Sequence, residues 1–86
     1  MQHTKTTQAF EKYLWFKCEN HAGILLVKMG EFYEAMGEDA LKVGRALGLP
    51  VTARDGVQLV GIPEHRLAKW TDKLIEAYGS VTVMMP

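Results

Sequence analysis

Apolar residues recur at helical spacing in three segments of the chain. The first segment runs from about Thr7 to Asn20, and its apolar side chains form one broad stripe: Phe10, Tyr13, Leu14, Trp15, Phe16 and Cys18. The second, from about residue 37 to residue 47, places four apolar residues at i, i+4, i+7 and i+11: Met36, Ala40, Val43 and Leu47. The third opens at Pro63 and has this stripe: Leu67, Trp70, Leu74 and either Ala77 or Tyr78. We therefore predict three amphipathic helices.

The ends of these segments carry residues that start and stop helices. Thr6 or Thr7 can cap the first helix. Glu38 and Asp39 fall in the first turn of the second, where acids suit the helix dipole and are expected to be solvated. Gly48 and Gly79 are placed to end the second and third helices.

Strand patterns lie between the helices. Ile24 to Met29 is an apolar run broken only by Lys28, short enough for a central strand covered on both faces. "VTAR" and "VQLVGI" are two short strands joined by a tight turn at Asp55-Gly56, and "SVTVMM" is a last strand. The predicted order is α-β-α-β-β-α-β. We expect an α+β fold in which one small mixed β-sheet packs with about three helices.

The stretch "GEFYE", residues 30–34, does not fit a buried strand. Extended chain would place Phe32 and Glu34 on one face and Glu31 and Tyr33 on the other, so each face would carry one aromatic ring and one acid. A strand with one buried face would keep both acids on the other side. Either the chain leaves the strand here, or one aromatic ring is presented to something outside.

Composition limits the possible partners. The chain has 86 residues, enough for one domain, and its ten basic and ten acidic residues give a formal net charge of zero. No global field therefore attracts nucleic acid, and any DNA affinity must come from a local arrangement. No apolar run approaches the roughly 18 residues of a membrane span, and the N-terminal residues lack a signal-peptide core, so we expect a cytoplasmic protein.

The sequence contains no recognisable catalytic motif. The only serine is Ser80, with no base placed beside it, and no phosphate-binding glycine motif is present. Cys18 and His21 have a spacing that could hold a metal, but a structural zinc site needs about four ligands and the other histidines, His3 and His65, are scattered. We predict no enzymatic activity, no metal and no cofactor.

The order and spacing of several motifs identify a family. The segment "KYLWFKCENHAGILLVKMGEFYEAMGEDALKVGRALGL", followed by "VTAR" and "VGIPEHRLAKWTDKLIEAYGSVTVMM", resembles the N-terminal mismatch-recognition domain of the MutS DNA mismatch-repair family. The most specific parts are G-x-F-Y-E at residues 30–34 with Met29 before it, "EDA" at residues 38–40 and "GIP-x-H" at residues 61–65. The resemblance runs from about Gln8 to Pro86. It implies one MutS domain I-like module over residues 1–86, with residues 1–6 as a flexible N-terminus.

The resemblance also implies a site and a partner. In that family the motif phenylalanine stacks on a mispaired or unpaired base from the minor-groove side of kinked DNA, and the motif glutamate hydrogen-bonds to the base. By resemblance these roles fall on Phe32 and Glu34, with Met29 beside them. Five cations could line a phosphate-facing rim or simply belong to a solvated face: Lys28, Arg54, Arg66, Lys69 and Lys73.

Two hypotheses stay open from the sequence. The first is a stand-alone DNA-binding module that recognises mispaired or distorted DNA. The alternative is a protein-interaction or inhibitor module of phage or plasmid origin, which uses the same fold to bind a repair or defence complex. Neutral charge favours the alternative, and the presence of both Phe32 and Glu34 favours DNA. Because the sequence starts with Met1, we expect a stand-alone protein rather than an excised fragment.

Overall fold

A computed structural model describes residues 4–20 and 22–85. Three α-helices and five β-strands follow one another along the chain: α1 (Lys5–Asn20), β1 (Ile24–Met29), β2 (Phe32–Met36), α2 (Glu38–Leu47), β3 (Thr52–Arg54), β4 (Val57–Pro63), α3 (Leu67–Tyr78) and β5 (Val81–Met84). A short 3₁₀ turn, Glu64–Arg66, joins β4 to α3.

The five strands form one mixed sheet in the order β3-β4-β2-β1-β5. Neighbouring strands are antiparallel except for β1 and β5, which are parallel because α3 crosses over between β4 and β5. An α+β fold with three helices and a mixed sheet confirms the predicted fold class.

The predicted order of elements lacked one strand. After β1 the chain reverses through Gly30, whose φ of 63° is the left-handed conformation that glycine adopts without strain. It then returns as β2, antiparallel to both β1 and β4. The prediction missed β2 because one of its faces starts with an exposed aromatic ring and an acid, Phe32 and Glu34, which obscures the apolar alternation that marks a strand.

The N-terminal helix begins earlier than predicted. Thr4 caps α1: the Thr7 N–H donates to Thr4 Oγ1 at 3.1 Å, and the Thr4 N–H donates to Thr7 Oγ1 at 2.8 Å. The prediction of Thr6 or Thr7 as the cap was therefore wrong. Lys5 and Thr6, predicted to be flexible, lie in the first turn of α1. The rest of that prediction, for residues 1–3, lies outside the described residues.

The third helix also starts later than predicted. Pro63 is the last residue of β4, and the 3₁₀ turn separates it from Leu67, where α3 begins. The apolar stripe of α3 still packs as expected, because Leu74 is fully buried against the sheet.

The sheet separates two apolar clusters. Helices α2 and α3 cover one face, which we call the α2/α3 face; its buried residues are Ile24, Leu26, Tyr33, Ala35, Ala40, Val43, Val60, Ile62 and Leu74. Helix α1 covers part of the other face, the α1 face, whose buried residues are Tyr13, Leu25, Val27, Met36 and Val57. This α1 face holds the candidate site.

A buried polar cluster fixes α1 to the sheet and to α2. The Asp39 carboxylate, expected to be solvated, is buried; it accepts hydrogen bonds from Lys17 Nζ at 2.7 Å, from Tyr13 Oη at 2.7 Å and from the Leu25 N–H at 3.1 Å. Tyr13 Oη also contacts the carbonyl oxygen of Leu25. Burial and the hydrogen bond to Asp39 raise the pKa of Tyr13 well above its ordinary value.

Candidate nucleic-acid interface

Strand β2 turns the two rings of the Phe-Tyr pair in opposite directions. Tyr33 is only 4% exposed and packs in the cluster on the α2/α3 face, whereas Phe32 is 47% exposed on the α1 face. This alternation answers the question that the sequence raised: the chain leaves β1 at Gly30, is extended again from Phe32, and presents one aromatic ring to solvent.

Three strands bring the candidate residues together. Phe32 is paired with Met29 of β1 on one side and with Pro63 of β4 on the other. Glu34, two residues along the same face, is paired with Gly61. Because paired residues of neighbouring antiparallel strands share a face, Phe32, Glu34 and the exposed Met29 side chain lie on one side of the sheet.

Gly61 lets the Phe32 ring lie close to the sheet. A Cβ atom on Gly61 would stand 3.4 Å from Phe32 Cδ1, so the ring lies directly beside this position of β4, within van der Waals contact of where a side chain would begin. The ring is thus supported from below by β4 while its outer side stays open.

A groove of about 340 Å³ runs beside Phe32 towards the edge of the sheet. Its lining residues combine an aromatic ring, one acid, one cation and apolar side chains: Phe32, Glu34, Leu49, Pro50, Thr52, Arg54, Leu59, Val60 and Gly61. Within residues 4–20 and 22–85, the side chains of Glu34 and Arg54 make neither an ion pair nor a hydrogen bond, with each other or with another group. Both are therefore available to a ligand.

A smaller hollow of about 150 Å³ adds the start of α1 to the site. Lys5 and Thr6 line it together with Met29, Glu34 and Arg54. Two cations, one from α1 and one from β3, thus line the same hollow as the acid. Lys5 was not among the predicted site residues, since a polar N-terminal segment gives no signal of where it packs.

The motif around His65 lines a second hollow beside the Phe32 ring. Glu31, Phe32, Pro63, Glu64 and His65 line a hollow of about 500 Å³. The Glu64 N–H donates to the Glu31 carbonyl oxygen at 2.9 Å, which ties the β1–β2 turn to the end of β4. Two motifs some thirty residues apart in sequence therefore form one surface.

Four of the predicted cations lie elsewhere. Lys28 is paired with Tyr33 and so belongs to the α2/α3 face, where its Nζ lies 3.2 Å from Glu64 Oε1 and 5.7 Å from the centroid of the Tyr33 ring. The hydrogen bond to Glu64 raises the pKa of Lys28. The Arg66 guanidinium lies over the Trp70 ring, 5.6 Å from its centroid, in the turn before α3. Lys69 and Lys73 belong to α3. Of the five predicted rim cations, the geometry brings only Arg54 to Phe32 and Glu34.

Comparison with known proteins identifies the family. The family model for MutS domain I matches residues 7–85, from the first turns of α1 to just past β5. The chain belongs to the MutS domain I family.

Curated relatives agree with that assignment. The chain is 39% identical over 79 residues to the DNA mismatch repair protein MutS of Thermotoga petrophila, a match that covers 92% of this chain and 10% of the relative. It is 37% identical over 79 residues to the protein of the same name from Fervidobacterium nodosum, and 38% identical over 77 residues to that from Petrotoga mobilis. This MutS domain I chain thus spans about a tenth of the length of the curated relatives it matches.

A metal site and a membrane-spanning helix are two further features that would bear on the function of this MutS domain I chain. Across the ranges that the structure describes, no group of three or more histidine, cysteine, aspartate or glutamate side chains is arranged to hold a metal ion. His3 and His21, which the metal hypothesis required, lie outside those ranges. None of the helices in the described ranges has the length and apolar character needed to cross a membrane.

Proposed function

We propose that this chain is a non-enzymatic DNA-binding module that recognises mispaired, unpaired or distorted DNA, with Phe32 as the wedge and Glu34 as the reader of the base. One observation carries the proposal: the exposed ring of Phe32 and the side chain of Glu34 are neighbours on the uncovered part of the sheet, while the adjacent ring, Tyr33, is buried. Among the described residues, the Glu34 carboxylate has no ion-pair partner. The relatives named as DNA mismatch repair proteins support DNA as the partner.

The wedge selects DNA through the cost of deforming it. An apolar side chain that enters a base step must unstack it and kink the duplex, and this costs less where a mispair already stacks poorly. A ring stacked on a base contributes about 1–3 kcal/mol and has no sequence preference. Phe32 is suited to this role because its ring packs beside Gly61 of β4 while about half of the side chain stays exposed.

The acid sharpens the selection. A carboxylate next to DNA repels phosphate, so Glu34 penalises an intact duplex and recovers the cost only where it gains a hydrogen bond to an accessible base edge. Glu34 lies two residues from Phe32 on the same face, which puts it within reach of a base that stacks on the ring.

The cations that share a hollow with Glu34 supply the attraction to DNA. Arg54 and Lys5 line the hollow next to it and have the chemistry to contact the phosphates that flank a kinked step. Met29, exposed and paired with Phe32, widens the apolar surface of the wedge. Lys28 contacts Glu64 and Arg66 lies over Trp70, so we assign neither of them a direct contact with DNA.

A binding titration tests the proposal. Labelled duplexes of identical length, one matched, one mispaired and one with an unpaired base, are titrated with the purified chain at low and moderate salt, with single-stranded DNA as a further arm. We expect weak binding that weakens further with salt, and tighter binding to the mispaired and bulged duplexes than to the matched one. Equal affinity for all duplexes at low salt would refute mispair recognition.

One observation favours the alternative, a protein-interaction module. Trp15 is 65% exposed and Leu14 is also exposed on α1, and large apolar side chains that are this accessible occur at protein interfaces. If this function is the main one, Trp15→Ala will weaken a partner complex while Phe32→Ala leaves it unchanged. No DNA preference would then be measured.

A further inference from the structure

The sheet has two edges, and they differ in how well they are protected against pairing with another strand. At one edge, β3 is only three residues long, is exposed throughout and ends on the charged pair Arg54-Asp55. Short edge strands and charged residues are the usual means by which proteins prevent edge-to-edge association. This edge is therefore a poor acceptor for a further strand.

The other edge strand, β5, is also short, at four residues, but it lacks the charged residues that protect β3. Residues 80–85 read Ser-Val-Thr-Val-Met-Met and contain neither a charged residue nor a proline. Val83 is 39% exposed and Met85 is 63% exposed, and Ile75 of the neighbouring helix α3 is exposed as well. An uncharged edge strand with exposed apolar side chains is the kind that accepts another strand.

The backbone of β5 offers outward-pointing hydrogen-bonding groups. The Ser80 carbonyl oxygen accepts a hydrogen bond from the Ile24 N–H at 3.1 Å, so the main-chain groups of Ser80 point towards β1. Because these groups alternate in direction along a strand, those of Thr82 and Met84 also point inwards. The N–H and C=O groups of Val81 and Val83 then point away from the sheet, at its open edge.

We infer that β5 is a self-association edge, at which a second copy of this chain adds its own β5 in antiparallel orientation. This interface is separate from the proposed DNA site and does not depend on it. A second copy fits because the strand carries no charge, so pairing with itself brings no like charges together, and because the chain as a whole has a formal net charge of zero.

Symmetry fixes the arrangement. A two-fold axis perpendicular to the sheet makes the contact isologous, so each residue of β5 meets a residue of its copy on the same face. With the axis at Val83, each Val83 donates its N–H to the carbonyl oxygen of the other and Thr82 stands opposite Met84. The two sheets become one of ten strands, and both Phe32 rings lie on the same side of it.

Analytical ultracentrifugation over a concentration series tests this interface. The wild-type chain should pass from monomer to dimer as its concentration rises. Val83→Lys places like charges opposite each other at the axis and should raise the dimer dissociation constant by at least ~10-fold. Ala53→Lys is the matched control: it adds the same charge to an exposed position of the other edge strand, and it should dimerise as the wild type does.

Amide hydrogen exchange of the wild-type chain gives a second test that needs no variant. The Val83 amide should be open in dilute solution and become protected as concentration rises, whereas the Thr82 amide, bonded to β1, should be protected throughout. A wild-type chain that stays monomeric to near-millimolar concentration, or a Val83 amide whose exchange is independent of concentration, would overturn the inference. So would a folded Val83→Lys variant that dimerises like the wild type.

Discussion

Phe32 exposes about half of a large apolar ring, although the chain has room in its core for the ring of the next residue, Tyr33. Complete burial of a phenylalanine is worth about 1.5–3 kcal/mol relative to exposure, so the position of Phe32 gives up stability. An exposed aromatic ring held over a glycine is better explained by contact with a ligand than by packing.

Phe32→Ala should abolish the preference for mispaired DNA and leave the fold intact. The lost stacking corresponds to ~1–3 kcal/mol, and the free energy of unfolding should change by about 1 kcal/mol or less because the ring is half-exposed. DNA titration and urea denaturation measure the two quantities. Trp15→Ala is the control, because it removes an even more exposed ring from the outer side of α1 and should change neither.

The neighbouring ring gives the opposite expectation. Tyr33→Ala removes a buried side chain and should lower the free energy of unfolding by about 3–5 kcal/mol. If Phe32→Ala were the more destabilising of the two substitutions, Phe32 would be a core residue and its assignment as a wedge would be wrong.

Tyr13 makes stability depend on alkaline pH. Its pKa is raised in the folded chain by burial and by Asp39, so the folded state holds the phenolic proton more tightly than the unfolded state does. The stability that the hydroxyl contributes is therefore complete below the unfolded pKa of about 10 and falls as the pH rises above it. At neutral pH, Tyr13→Phe should cost about 1–3 kcal/mol, since it removes a buried hydrogen bond to the Asp39 carboxylate.

Urea denaturation of the wild type and of Tyr13→Phe at neutral and alkaline pH checks this. The difference between their free energies of unfolding should shrink above pH ~10. A difference that stays constant into the alkaline range would show that the Tyr13 proton does not contribute as described.

Strand β2 shows both how much the sequence revealed and where it failed. The predicted alternation of Phe32 and Glu34 against Tyr33 matches the strand, and the predicted Asp55-Gly56 turn has positive φ at both residues, as a tight hairpin requires. The strand itself was missed because two of its five side chains, Phe32 and Glu34, lie at the surface rather than in the core. Sequence patterns report burial, so they are least informative where residues face a ligand.

Strands β1 and β3 assign different roles to two cations. Arg54 lies beside Glu34, whereas Lys28 faces the other side of the sheet and forms an ion pair with Glu64. Because side chains alternate along a strand, the neighbouring positions of Lys28 and Met29 already place Lys28 on the face opposite the wedge. The position of Arg54 depends on how β3 pairs with β4, and the pattern of one strand does not reveal that pairing. Lys5 of α1 could not have been found without the fold.

Arg54→Gln should weaken DNA binding and lessen its salt dependence, lowering by about 1 the slope of log K against log salt, since one phosphate contact is lost. Lys28→Gln changes the net charge equally and should leave both unchanged. Titrations of both variants at several salt concentrations, with thermal denaturation to verify folding, make the comparison. Equal effects of the two substitutions would mean that net charge, not the position of Arg54, controls binding.

The molecule as a whole is neutral, and this limits what one module can do with DNA. With Arg54 and Lys5 as the phosphate contacts, the slope of log K against log salt should be roughly −2. Fluorescence anisotropy across a salt series measures it. A slope several times steeper would require contacts beyond these two cations, and the site would then extend past the groove described above.

The most direct test of the central claim, that Phe32 and Glu34 together discriminate mispaired from matched DNA, is the affinity of Glu34→Gln for both duplexes beside that of the wild type. Removing the charge relieves repulsion from phosphate, so affinity for matched duplex should rise while the advantage of mispaired DNA shrinks. Phe32→Ala should instead lose the advantage without any gain on matched DNA. If Glu34→Gln binds both duplexes as the wild type does, Glu34 does not face DNA and the proposed recognition mechanism is contradicted, even though the fold is that of the family.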